Sequence, residues 1–157
     1  GSEMCIRDRC TGNICRSPMA EYLLKTRLPP DLPWQVESAG LEALNGASPS
    51  EASVKVMREF GIDIRKHRSR SLNEDVVKNS DLIVTMTKQQ AEEVKIRYPF
   101  ASANVYFLNF FSPVKERQED DIIDPIGLSE DVYRMVRDQI DLALTGVMSF
   151  IQAIERK

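Results

Sequence analysis

Polar and apolar stretches alternate along the chain in a rhythm of strand and helix. The segment PMAEYLLKTRL, residues 18–28, predicts a helix, with Ser17 as its cap and Pro18 in the first helical position, where a missing N–H is tolerated. Pro29, Pro30 and Pro33 break it, and WQVES, 34–38, predicts a short strand that turns at Gly40. A second helix is expected over 50–60, ended by Gly61. Asn73 is placed to cap a short helix through Lys78. DLIVTM, 81–86, is the clearest buried strand, and Thr87 then caps a helix that stops before Pro99. VYFL, 105–108, predicts another strand, and Ser129 opens a long last helix with Tyr133, Val136, Ile140, Leu144, Val147 and Ile151 on one face. Strands alternating with helices imply an α/β fold with a parallel sheet covered on both sides.

A length of 157 residues suits a single domain, 1–157, able to bury a core without disulfides. The net charge of -3 gives no reason to expect nucleic-acid binding. No apolar run approaches the ~20 residues of a membrane span, and no leader with an apolar core is visible, so a cytoplasmic protein without membrane contact is expected. The three cysteines, Cys5, Cys10 and Cys15, crowd the first 15 residues, and the one histidine, His67, is far along the chain. That spacing suits neither a disulfide framework nor a zinc site, and a reactive thiol in a reducing compartment fits it better. The polar stretch 112–121 reads as a long surface loop, a length that often carries function.

The chemistry concentrates in CTGNICRSPMAE, from Cys10. Backbone N–H groups of a tight loop can converge on one anion, and the N-terminus of the following helix adds its positive end. Gly12 allows close approach and Asn13 tolerates a left-handed conformation. Arg16 offers a planar fork matched to phosphate oxygens. A thiol in that field ionises near neutral pH. A bare Cys-x5-Arg arises often by chance, but the full string, with its glycine, asparagine, hydroxyl and proline-started helix, is far more specific.

CTGNICRSPMAE closely resembles the phosphate-binding loop of low-molecular-weight protein-tyrosine phosphatases. VESAG at 36–40, GIDIRKHRSRSL at 61–72, DLIVTMT at 81–87 and IIDPIGLSEDVY at 122–133 match the family in order, so the resemblance covers 10 to about 155. It implies a four-stranded parallel sheet flanked by helices on both faces, with the phosphate loop between the first strand and the first helix. It implies Cys10 as nucleophile, Arg16 as phosphate ligand, and Thr11, Gly12, Asn13, Ile14, Cys15 and Ser17 as the loop, with Ser17 stabilising the departing thiolate. Asn13, Ser38 and His67 would form the network that holds the loop. Asp124, in an Asp-Pro pair before the last helix, would be the general acid, with Asp120 and Asp121 as competing candidates. A phosphocysteine intermediate follows, with no metal and no cofactor. Cys15 would protect an oxidised Cys10 through a disulfide. The implied partners are a phosphorylated protein substrate and free phosphate or a similar oxyanion as inhibitor, acting on a monomer or weak dimer.

The sequence departs from that family in two places. Where an apolar strand should precede the nucleophile it has Arg7, Asp8 and Arg9. Either this segment pairs centrally with its charges accommodated, or it leaves the sheet. Gly1-Ser2 has the look of an expression-tag remnant, and residues 1–9 are read as atypical. The pocket wall is also unusual: Ile126 and, approximately, Leu44 stand where the family places aromatics. NG-x-SP at 45–49 and DPIGLSEDVY at 124–133 resemble the bacterial protein-arginine-phosphatase branch, but Ile14 replaces that branch's threonine and favours an aryl phosphate. Phosphotyrosine is therefore the main reading and phosphoarginine the alternative. Arsenate reductases share the loop but need further cysteines downstream, and none follows Cys15. A non-catalytic phosphate-binding module remains a fourth possibility.

Overall fold

The structure is a computed structural model; it describes residues 5–10, 16–29, 34–40 and 45–155, the first segment and residue 155 by backbone alone. The chain is α/β. Strand β1 (Cys5–Cys10) leads to helix α1 (Arg16–Arg27), then β2 (Gln35–Gly40), α2 (Glu51–Arg58), α3 (Glu74–Lys78), β3 (Leu82–Thr85), α4 (Lys88–Arg97), β4 (Val105–Phe107) and α5 (Glu130–Glu155). The strands lie in the order β2-β1-β3-β4 and every pairing is parallel.

The predicted caps form. Ser50 accepts from Ser53 N, Asn73 from Val76 N, and Thr87 closes a capping box with Gln90 at the start of α4. Ser17 differs: α1 already runs from Arg16, so Ser17 is a buried residue of its first turn rather than its cap. Pro18 is accommodated there because the N–H groups of a first turn have no partner within the helix. The stretch 112–121 is not wholly irregular, since Lys115–Arg117 form a 3₁₀ turn. Leu108 opens another such turn rather than extending β4.

The strand LIVT of β3 is buried throughout and divides its side chains between two cores. Leu82 and Val84 pack into the cluster that holds Met19 and Leu23 of α1, Val56 and Met57 of α2, and the stripe Val136, Ile140, Leu144, Val147 and Ile151 of α5. Ile83 joins the other cluster, with Val77 of α3 and Ala91 and Val94 of α4. The sheet is thus covered on both faces, which is why β3 lacks alternation.

Strand β1 sits at the centre despite its charges. Arg7 has Glu37 and Ile83 as register partners, Asp8 has Ser38 and Val84, and Arg9 has Ala39 and Thr85. The segment therefore does not leave the sheet.

Helix α5 is locked to its neighbours by contact and charge. A Cβ added at Gly146 would lie 1.6 Å from the carbonyl oxygen of Phe111, so the helix meets the 108–111 turn backbone to backbone. Glu59, just past α2, accepts hydrogen bonds from Arg134 and Arg137 of α5. Arg137 also donates to Val56 O at 2.8 Å and stacks on Phe60, 4.0 Å from the ring centre. The hydrogen bonds from Arg134 and Arg137 hold the Glu59 carboxyl down from 4.5 to about 2.

Two expectations follow. Gly146→Ala should lower the urea midpoint, by the equivalent of about 1–3 kcal/mol, the usual cost of forcing atoms into a filled space; an unchanged midpoint would show that the helix stands further from the turn. The folded-state pKa of Glu59 is depressed, so its contribution to stability is complete above about 4.5 and fades as the pH falls towards about 2. Denaturation of the parent and Glu59→Gln across that window should give curves that differ at neutral pH and converge in acid.

Candidate active site

Parallel strands deliver their carboxyl ends to one edge of the sheet, and the sequence-predicted residues gather there. Cys10 ends β1, Arg16 begins α1, Ser38 and Gly40 close β2, and Met86 follows β3. The side chain of Cys10, residues Thr11, Gly12, Asn13, Ile14 and Cys15, and the pocket residue Leu44 lie outside the described residues.

Arg16 is 4% exposed, although it is a full cation. Its Nη1 donates to Ile122 O at 2.6 Å, and its Nη2 lies 3.9 Å from the Asp124 carboxylate. Its Nε, like the hydroxyl of Ser17, is buried without a hydrogen-bond partner among the described residues. A buried guanidinium with an idle donor is costly unless an anion completes it.

The segment 121–128 is pinned to this edge. Ile122 N donates to Met86 O at 3.0 Å, and Asp121 Oδ1 accepts from Lys88 N at 2.9 Å. Asp124 Oδ1 accepts from Ile126 N at 3.1 Å, and Leu128 N closes a turn onto Pro125 O. Gly127, at φ 76, supplies the positive φ that this turn needs at its third residue. The three aspartates are sorted by these contacts. Asp124 faces Arg16, Asp121 is committed to the first turn of α4, and Asp120 is exposed, its carbonyl held by Asn109. Ile126 is exposed beside Asp124, with Ile123 and Leu128.

Ser38 and His67 are brought together by a residue that sequence reasoning passed over. Glu21, on α1 and 2% exposed, accepts from both Ser38 N and Ser38 Oγ at 2.7 Å through one carboxylate oxygen. The other oxygen accepts from Lys25 Nζ at 2.8 Å. His67 Nδ1 lies 3.9 Å from Glu21, and its ring meets Tyr22 edge-on at 6.3 Å. Burial, and then the charge of Glu21, raise the Tyr22 phenol. The segment carrying His67 is tied to β2 by Gly40 N on Arg70 O and Leu72 N on Gly40 O. The one local signal for Glu21 was Lys25 four residues on, a spacing that pairs opposite charges along a helix.

The family model for low molecular weight phosphotyrosine protein phosphatases matches residues 9–157. The chain belongs to that family. Among curated relatives of this phosphatase, "Probable low molecular weight protein-tyrosine-phosphatase EpsP" from Ralstonia nicotianae is 37% identical over 136 residues, 84% of the chain and 88% of the relative. An arsenate reductase from Staphylococcus aureus is 34% identical over 140 residues, 89% and 92% of the two chains. Among solved structures, the YwlE arginine phosphatase from Geobacillus stearothermophilus superposes with a TM-score of 0.87 at 31% identity, covering 97% of this chain and 95% of that one. This phosphatase is a cysteine-dependent enzyme that acts on phosphorylated protein. Among the described residues no group of His, Cys, Asp and Glu is placed to hold a metal ion, and no helix is long and apolar enough to cross a membrane.

Glu21→Gln keeps the shape of the buried carboxylate but weakens three charge-assisted contacts. It should destabilise the phosphatase by about 1–3 kcal/mol. Chemical denaturation measures this, and a loss well under that range would show that Glu21 merely fills space.

Proposed function

We propose that the chain hydrolyses phosphotyrosine on protein, with Cys10 as nucleophile, Arg16 as phosphate ligand and Asp124 as general acid. The observation that carries this is the buried Arg16, its Nε idle, its Nη2 3.9 Å from Asp124. The phosphate would sit in the loop of Thr11, Gly12, Asn13, Ile14 and Cys15 between β1 and α1 of a four-stranded parallel sheet. The Cys10 thiolate attacks phosphorus, the bond to the tyrosine oxygen breaks, and Asp124 gives that oxygen its proton. Loop amides and Arg16 hold the charge that develops. Asp124, now a carboxylate, takes a proton from water as the water attacks the phosphocysteine, releasing phosphate and the thiolate, which Ser17 steadies. Ser38 and His67 hold the loop through Glu21.

An aromatic leaving group is favoured by the apolar Ile14 of the sequence and is compatible with the exposed aliphatic residues Ile123, Ile126 and Leu128 near Asp124. The likeness to an arginine phosphatase supports phosphoarginine as the second reading. Arsenate reduction needs thiols to carry electrons away, and this sequence has no cysteine after Cys15. Cys15 is instead proposed to shield an oxidised Cys10 by a disulfide. The reading includes one catalytic domain acting in the cytoplasm as a monomer or weak dimer, inhibited by free phosphate.

Asp124→Asn should slow aryl phosphates with poor leaving groups by about 10²–10⁴-fold and those with good leaving groups far less, because only the former need the proton. Rates for a leaving-group series on parent, Asp124→Asn and Asp120→Asn measure this. Equal effects of the two substitutions would remove Asp124 from its role, and turnover of phosphoarginine peptides above phosphotyrosine peptides would reverse the substrate reading.

A further inference from the structure

Arg16 and Asp124 open onto a cavity of about 510 Å³ between the 121–124 segment and the first turns of α4. It is lined further along by Asp121 and Glu93, with Gln89 and Thr87 between them. Three carboxylates therefore line this space with Arg16, and Arg97 reaches only Glu93 among them. Asp121 uses only Oδ1, on Lys88 N, and Glu93 uses only Oε1, on Arg97, at 2.6 Å. One oxygen of each is left without a protein partner among the described residues. The Lys88 side chain does not neutralise them: its Nζ bonds Glu119 at 2.8 Å, lies over the Phe107 ring at 5.6 Å, and borders a different groove.

Acids on a surface are ordinarily just solvated. Here they continue from a buried cation whose Nε is unsatisfied among the described residues at 4% exposure, although its Nη1 and Nη2 face Ile122 O and Asp124. A ligand that completes Arg16 must be an anion, and whatever extends from that anion into the cavity meets negative charge. We propose that this cavity is a subsite for a lysine or arginine side chain flanking the phosphotyrosine of the substrate, held by Glu93 and Asp121. The proposal rests on the phosphotyrosine reading above. It means that a basic residue one position from the phosphotyrosine is favoured and an acidic one disfavoured.

The test is kcat/KM on phosphotyrosine peptides carrying Arg, Ala or Glu at each of the two positions beside the phosphotyrosine. The parent should prefer Arg to Ala at one of them by about threefold to tenfold, the worth of one or two half-exposed ion pairs. That ratio should shrink at high ionic strength. It should fall towards one in Glu93→Gln with Asp121→Asn, where the amide oxygen still accepts from Lys88 N. A flat ratio in the parent, or a ratio that persists in the double variant, overturns the subsite while leaving the phosphatase intact. Failure to turn over any of the peptides overturns the phosphotyrosine reading instead. If the double variant does not fold, the flanking preference of the parent and its salt dependence still decide the question.

Discussion

A fully ionised guanidinium almost out of contact with water is the constraint on which this edge of the molecule depends. Arg16 carries five N–H donors, and burial makes each unsatisfied one expensive. Ile122 O takes one and Asp124 draws a second group near, so the cation fixes both α1 and the 121–128 segment. The residue whose carbonyl accepts from Arg16 also donates its N–H to Met86 O, just past β3. Sheet, helix and acid are joined through a few bonds around one charge. Nε is the nitrogen left over among the described residues, and it is the one that the proposed phosphate would complete.

Glu21 is the counterpart of opposite sign, a turn further along α1. It is a buried anion, and Ser38 of β2 and Lys25 supply its hydrogen bonds. Charge of each sign is thus buried on one short helix, the cation bonded to Ile122 and the anion to the backbone and hydroxyl of Ser38 in β2. Neither pair is strong evidence of net stability, because desolvation offsets much of the attraction. Their effect is positional: removal of one partner leaves the other stranded.

Much of this was legible in the sequence. The stripe Tyr133 to Ile151 is buried along α5, and the caps at Ser50, Asn73 and Thr87 form, because side chain and backbone there act within a few residues. Asp124 was ranked above Asp120 and Asp121 by the resemblance of its Asp-Pro pair to the family's; the structure puts its carboxylate 3.9 Å from Arg16 and gives Asp121 to the N-terminus of α4. What local pattern could not show was long-range. Ser17 reads as a cap until the helix is seen to begin at Arg16. Glu21 looks like any surface acid until β2 and the His67 segment close over it. Arg7, Asp8 and Arg9 argue against a central strand, and only the parallel pairing with β2 and β3 on either side outweighs them.

Asp124 is two residues beyond Ile122, whose carbonyl is fastened to Arg16 and whose N–H is fastened to Met86, and three beyond a side chain fastened to α4. The stretch before Ile122 has fastenings of its own, Gln118 on the Ser112 carbonyl, Glu119 on Lys88 and Asn109 on the Asp120 carbonyl. A displacement there is checked at Asp121 and Ile122 before it reaches Asp124. Ile122 is a mechanical stop between the polar surface stretch and the Arg16 edge.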